Sequence, residues 1–216
     1  MKILVTAAHP DDETLGCGAT IAKLSSMGHE VHLLTFTDGI GARIEGDRTE
    51  DVASVCEILG VNSFKTFNFP DNKMDSVPLL DVIKKIEFYL NSNNLNPDWV
   101  LTHSPYCLNV DHKVVYNATL TTFRGMRKYN PIKIMCYEVA SSSEWNPLNN
   151  FIPNFYMSIS EEHFEKKINA LKVYSKEMRE FPHPRSYRNL EALSITAGAE
   201  SGNYRAERFM IIRETK

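Results

Sequence analysis

Four cysteines in 216 residues, Cys17, Cys56, Cys107 and Cys136, form no Cys-x-x-Cys pair. A zinc ribbon and a disulfide framework are thereby excluded, leaving reduced, buried thiols as the reading. No run of about 18 apolar residues occurs, so no membrane-spanning helix is expected. The opening stretch 1–8 is too short for a signal-peptide core and meets Pro10-Asp11-Asp12-Glu13 almost at once; it reads as a first β-strand of a cytoplasmic protein. Neither sign of charge dominates: 24 Lys and Arg face 27 Asp and Glu, a net −3, with the basic residues scattered. Such a chain has no electrostatic footprint for nucleic acid or an anionic membrane surface. Repeats, low-complexity segments and composition shifts that would mark a domain boundary are also missing.

What is present fits one globular domain, with 43% hydrophobic and 24% charged residues. Short apolar runs alternate with longer amphipathic ones, the pattern of βα units around a mostly parallel sheet, so the expected class is α/β. Strands are expected at 2–8, 30–37, 63–68, 98–103, 133–139 and 208–213. Helices are expected at 13–27, 48–59, around Leu79–Leu90, at 111–128 and through Phe164, Ile168, Leu171 and Met178. A polar loop is read at 38–47, and a turn at Pro70-Asp71-Asn72, where Pro presets φ and Asp or Asn bonds its own backbone. The stretch 140–207 is the least regular and reads as a cap over the sheet within a single domain of residues 1–216.

The sharpest feature is His9-Pro10-Asp11-Asp12-Glu13, where the first strand should end and the first helix begin. Open α/β sheets bind ligands outside the carboxyl ends of their strands. The common occupant of such a turn, a dinucleotide pyrophosphate on Gly-x-Gly-x-x-Gly, is ruled against here. Gly16-Cys17-Gly18 comes late, Ile21 replaces the third glycine, and three carboxylates would repel phosphate. The same carboxylates attract a cation. His9 and Asp12, three residues apart across a tight turn, can point imidazole nitrogen and carboxylate oxygen at one metal. A third ligand must come from elsewhere; Asp111-His112, after the fourth strand, and His103, at its end, compete for that role.

His9-Pro10-Asp11-Asp12-Glu13 with Gly16 and Gly18, Arg48, Leu59-Gly60-Val61, Phe69-Pro70-Asp71, Thr102-His103 and Asn109-Val110-Asp111-His112 continue into Tyr137-Glu138-Val139, His183-Pro184-Arg185-Ser186 and Tyr204-Arg205-Ala206-Glu207. Together they resemble the LmbE-like, or PIG-L, family of zinc-dependent de-N-acetylases along nearly the whole chain. The resemblance implies a Rossmann-like three-layer fold. It also implies zinc held by His9, Asp12 and His112, with Asp11 as general base, and a small N-acetylated sugar or glycoconjugate as substrate. Iron or cobalt would also suit two nitrogens and a carboxylate. Members of the family often carry a histidine where this chain has Asn109. An amide can donate to an oxyanion but cannot serve as a general acid, so His183 is the expected substitute donor, from the late lobe or a neighbouring subunit. Arg48, Asp71, Arg185, Tyr137 and Glu138 are expected at the substrate; Arg43, in the loop after the second strand, reads first as a solvated charge and only second as a partner for a substrate phosphate, and Trp145 suits a sugar face and the core equally. A thiol-glycoside amidase and a non-catalytic metal- or sugar-binding protein are the other readings, and a homo-oligomer is left open.

Overall fold

The computed structural model describes residues 1–39, 48–125, 128–148 and 151–215. Its elements are β1 (Lys2–Ala7), α1 (Asp12–Ser26), β2 (Glu30–Thr35), α2 (Thr49–Leu59), β3 (Ser63–Thr66), α3 (Leu79–Ser92), β4 (Trp99–His103), α4 (Val110–Thr122), β5 (Lys133–Tyr137), β6 (Phe155–Ser158), α5 (Glu161–Val173), α6 (Tyr187–Ser201) and β7 (Ala206–Glu214). Short 3-10 turns occupy Met74–Ser76 and Ser175–Glu177.

Among the described residues, seven strands form one sheet in the order β3-β2-β1-β4-β5-β7-β6. The first five are parallel, and β7 runs antiparallel to both of its neighbours. Ile3 to Ala7 are all fully buried, as a central parallel strand covered on both faces requires. Along it Ile3, Val5 and Ala7 join one apolar cluster with α1, α2 and α5, while Leu4 joins the other with α3 and α4. This is the expected three-layer α/β arrangement. Because β2 and β4 flank β1 on opposite sides, the chain leaves β1 at a topological switch point, where the carboxyl ends open a crevice.

Helix α1 is broken at Cys17, whose φ/ψ of −145/22 is not helical. A Cβ on Gly16 would run into the Tyr137 ring, so only glycine lets that ring lie against the break. Buried Lys167 donates to the Leu15 carbonyl at 2.8 Å, where the first segment ends. Glu207 accepts the Ala19 and Thr20 amides at 3.2 and 2.7 Å, where the second begins. The two side chains also pair at 2.7 Å. Each loose helix end thus receives a charged partner, and the ions satisfy one another.

Differences from the expected elements have local causes. α4 stops at Thr122 rather than 128, with Phe123 closing the last bond to the Thr119 carbonyl just before Gly125. The helix read through Met178 ends at Val173 and tightens into the turn at Ser175–Glu177. Within 140–207, β6 and α6 are further regular elements; α6 buries Leu190, Ser194, Ala197 and Gly198, mostly small residues. Most of the loop read at 38–47 lies outside the described residues, as does Arg43.

Candidate metal centre

Two turns at the carboxyl edge of the sheet build the site. After β1 the chain reverses through Asp11, whose φ of 121° is unusual for a residue with a side chain. The turn is held from within. Glu13 accepts the Asp11 amide at 3.2 Å, and Asp12 Oδ2 accepts the His9 amide at 2.9 Å. After β4, Asn109 caps α4 by accepting the Asp111 and His112 amides on Oδ1 at 2.8 and 3.4 Å, which places His112 in the first turn.

Asp12 Oδ2 lies 3.1 Å from both His9 Nδ1 and His112 Nε2, and one ligand atom from each residue falls within 4.8 Å of the others. The opposite ring nitrogen of His9, Nε2, is 3.0 Å from Asp111 Oδ2 and 3.2 Å from Asp71 Oδ1. Asp111 is itself fixed by the Asn72 and Met74 amides at 2.7 and 2.9 Å. Carboxylates at Nε2 place the ring hydrogen there and leave the Nδ1 lone pair facing Asp12 and His112, the orientation an outer carboxylate imposes on a metal-ligating histidine. Among the described residues, Asp12 Oδ1 and His112 Nε2 are buried without a hydrogen-bond partner. Unsatisfied polar atoms at such depth cost about 1–3 kcal/mol each, and a divalent cation among two imidazoles and a carboxylate would satisfy both. The donor set therefore fits a metal.

His103, the rival third ligand, is differently employed. Its Nε2 accepts the Ala8 amide at 2.8 Å, which occupies the lone pair that ligation would need. Its ring stacks on His112 with centroids 4.0 Å apart.

Charge follows this packing. Burial pushes Asp12 up, but the charges of His112 and His103 and the His112 and His9 nitrogens 3.1 Å from its Oδ2 bring it well below the usual carboxylate range. Burial opposes charge on His112, yet Asp12 and Cys107 raise it to about 9. His9 is likewise raised, since its bonds to Asp111 and Asp12 outweigh burial. Asp11 is pushed up to about 7, first by burial and then by Asp12, Glu177 and Glu13, against the pull of Arg185.

Beyond the triad a polar cleft of about 770 Å³ is lined by His9, Asp11, Arg48, Asp71, Asn109, Glu177, His183 and Arg185 among others. Arg185 Nη1 pairs with Asp11 Oδ2 at 2.7 Å and reaches Glu177 at 3.4 Å, while its Nε donates to Ser141 at 2.8 Å. Arg48 donates to the other Glu177 oxygen at 3.1 Å. His183 is exposed, with Nδ1 accepting the Arg185 amide at 3.1 Å. Asn109 directs Nδ2 to Asn72 at 3.3 Å while its oxygen caps α4.

Three residues expected at the substrate lie elsewhere. Tyr137 is fully buried, donates to the Thr6 carbonyl at 2.8 Å and backs His103, so it packs beneath the site rather than facing a sugar. Glu138 accepts from Arg208 at 2.8 Å in a separate cavity of about 230 Å³. Trp145 is exposed and lines neither space. Sequence reasoning also passed over two participants. Asp111 entered only as the neighbour of His112, although its spacing from a metal-site histidine was a usable signal. Glu177, which ties Arg48 to Arg185, carries no local signal at all.

Comparison with known proteins agrees with this picture. The family model "PIG-L: GlcNAc-PI de-N-acetylase" matches residues 4–123. The chain is 32% identical to the uncharacterized deacetylase YaiS of Escherichia coli (strain K12), over 80% of this chain and 89% of that one. It is 26% identical to the diacetylchitobiose deacetylase of Thermococcus kodakarensis, over 95% of this chain and 81% of that one. In fold it is similar to the conserved protein TT1542 of Thermus thermophilus, with a TM-score of 0.81 at 24% identity, covering 99% of this chain and 96% of that one. With the motif residues assembled at one sheet edge and these matches spanning the chain, the protein belongs to the PIG-L, or LmbE-like, family.

Proposed function

We propose that this protein is a metal-dependent deacetylase that removes the N-acetyl group from an N-acetylated sugar or glycoconjugate, with zinc as its metal and His9, Asp12 and His112 as ligands. One observation carries the reading. A buried His-Asp-His cluster with unsatisfied ligand atoms adjoins a carboxylate, Asp11, at the base of a polar cleft. The family description and the T. kodakarensis relative, which names diacetylchitobiose, support an N-acetyl amide as the bond cleaved.

When bound, a divalent cation supplies Lewis acidity, bringing water toward a pKa of roughly 7 and polarising a carbonyl. The protein provides the proton traffic and the positioning. Arg185 holds Asp11 by Oδ2, so the second carboxylate oxygen takes the proton from the attacking water. A base raised to about 7 is matched to a neutral operating pH, and it returns that proton to the amine as acetate leaves. Asn109 Nδ2 and the free Nε2 of His183 border the same cleft as donors for the developing oxyanion and the leaving group. Arg48 and Asp71, which line the same cleft, are the partners for sugar hydroxyls. Ser141, Glu177, His183 and Arg185 all come from 140–207, so this segment serves as a substrate-covering wall as well as completing the sheet.

The test is acetate release by zinc-loaded protein from N,N'-diacetylchitobiose and a panel of N-acetylhexosamine derivatives. Asp11→Asn should lower the rate by about 10²–10⁴, the share of a general base, with the zinc content unchanged. Undiminished release by Asp11→Asn would overturn the proposal.

A further inference from the structure

A buried thiol stands behind the metal-facing histidine of α4. Cys107, in the connection between β4 and α4, is 1% exposed, and its sulfur lies 3.0 Å from His112 Nδ1. The backbone amide of Asn109 and the hydroxyl of Ser143 are the other polar neighbours of this sulfur. That hydroxyl oxygen is already occupied as an acceptor, taking the Val139 amide at 2.9 Å. On the far side of the ring, His112 Nε2 is buried, has no hydrogen-bond partner among the described residues and lies next to Asp12.

A neutral imidazole carries its hydrogen on one nitrogen only. If the thiol donated to Nδ1, the ring hydrogen would sit on Nε2 and close it to a metal. If the sulfur accepts from Nδ1, the Nε2 lone pair is free. Nε2 stands 3.1 Å from Asp12 Oδ2, where a cation would need its lone pair, so acceptance by the sulfur at 3.0 Å from Nδ1 is the arrangement that suits the site. The carboxylate at His9 Nε2 does the same for the other imidazole of the triad, so each ring is steered by a group behind it, oxygen in one case and sulfur in the other.

We infer that Cys107 is a positioning residue of the metal centre: its sulfur accepts the His112 Nδ1 hydrogen, fixing the tautomer and ring angle that present Nε2 to the cation. The inference rests on the proposed metal site. It gives this buried cysteine a task other than core packing and predicts that a smaller apolar side chain cannot replace it, although the space would accommodate one.

The experiment is Zn²⁺ affinity, measured by competition with a chelator on the full chain, alongside the melting temperature of each metal-free variant. Cys107→Ala should weaken Zn²⁺ binding by about 10–100-fold, the usual cost of losing an outer partner of a ligating histidine. Cys107→Asp, close to cysteine in size and able only to accept when ionised, should restore most of that loss. Unchanged affinity in Cys107→Ala, or equal loss in Cys107→Ala and Cys107→Asp with both folded, overturns the inference and leaves the metal site standing. Failure of the unaltered protein to bind Zn²⁺ overturns both. Should the variants not fold, nitrogen NMR of the unaltered zinc-loaded protein decides: His112 must show a protonated Nδ1 and a ligated Nε2, and the reverse assignment contradicts the inference.

Discussion

The end of β4 and the start of α4 each deliver a histidine to the same place, and the two rings stack 4.0 Å apart at an interplanar angle of 16°. They are nonetheless opposites. His103 Nε2, 3.6 Å from Asp12 Oδ2, is taken by the Ala8 amide, and its Nδ1 is the atom left without a partner among the described residues. Burial and the charge of its neighbour push this ring well below the usual imidazole range. His112 keeps Nε2 unbonded beside Asp12 and is raised to about 9 despite its burial. Residue type and depth are the same; the partners of each ring nitrogen differ. A backbone amide makes one ring a structural acceptor, whereas an aspartate in front and a sulfur behind leave the other as the proposed ligand.

Substitution should expose that division most strongly. His112→Ala removes a ligand and is expected to weaken zinc binding by more than the about 10–100-fold that an outer partner costs, with acetate release lost in parallel. His103→Phe keeps a stacked ring but leaves the Ala8 amide unpaired. It should cost about 1–3 kcal/mol in denaturant unfolding with zinc affinity little changed. If His103→Phe lost zinc as completely as His112→Ala, the separation of roles would fail.

Titration of the metal-free protein should separate the two with opposite signs. For His103 the folded pKa is depressed, so its contribution to stability is present above the unfolded value of about 6.5 and is lost as pH falls below it. For His112 the folded pKa is raised, so its contribution is present below about 6.5 and is lost as pH rises toward about 9. Zinc must displace the His112 proton, so zinc affinity should climb with pH across the same interval. A zinc affinity independent of pH from 6 to 9 would contradict the assignment. A smaller effect is expected from Asn109→Ala, which removes the cap that sets the first turn of α4. About 1 kcal/mol of stability should be lost, with a modest weakening of zinc binding and no change in the His103 titration.

The sequence made this region partly legible. His9 and Asp12 declared themselves by a short acidic turn after an apolar strand, where spacing and position both pointed to a cation. The choice between His103 and His112 was not available from spacing, because each lies at the same sheet edge. Family resemblance favoured His112, and the Ala8 amide on His103 Nε2 is a feature that spacing could not reveal. Arg185 and Asp11 stand 174 residues apart, and Glu177 links Arg185 to Arg48 across the cleft, so no local pattern could join them. Helix α6 escaped because its buried stripe consists largely of Ser194, Ala197 and Gly198, where a periodicity of large apolar residues is absent. Strand β6 escaped because four residues at a sheet edge leave too short a pattern to read. Tyr137 was misplaced for a related reason: an aromatic beside a carboxylate resembles a sugar platform in sequence, but it ends the buried strand β5 with its ring against Gly16.

The most direct measurement is acetate release from N,N'-diacetylchitobiose before chelation, after removal of the metal, and after stepwise return of Zn²⁺. Activity that disappears with the metal and returns in full at one zinc per chain, in the unaltered protein and in His103→Phe but not in His112→Ala, is the predicted result. Acetate release that persists at full rate in the metal-free protein would contradict it.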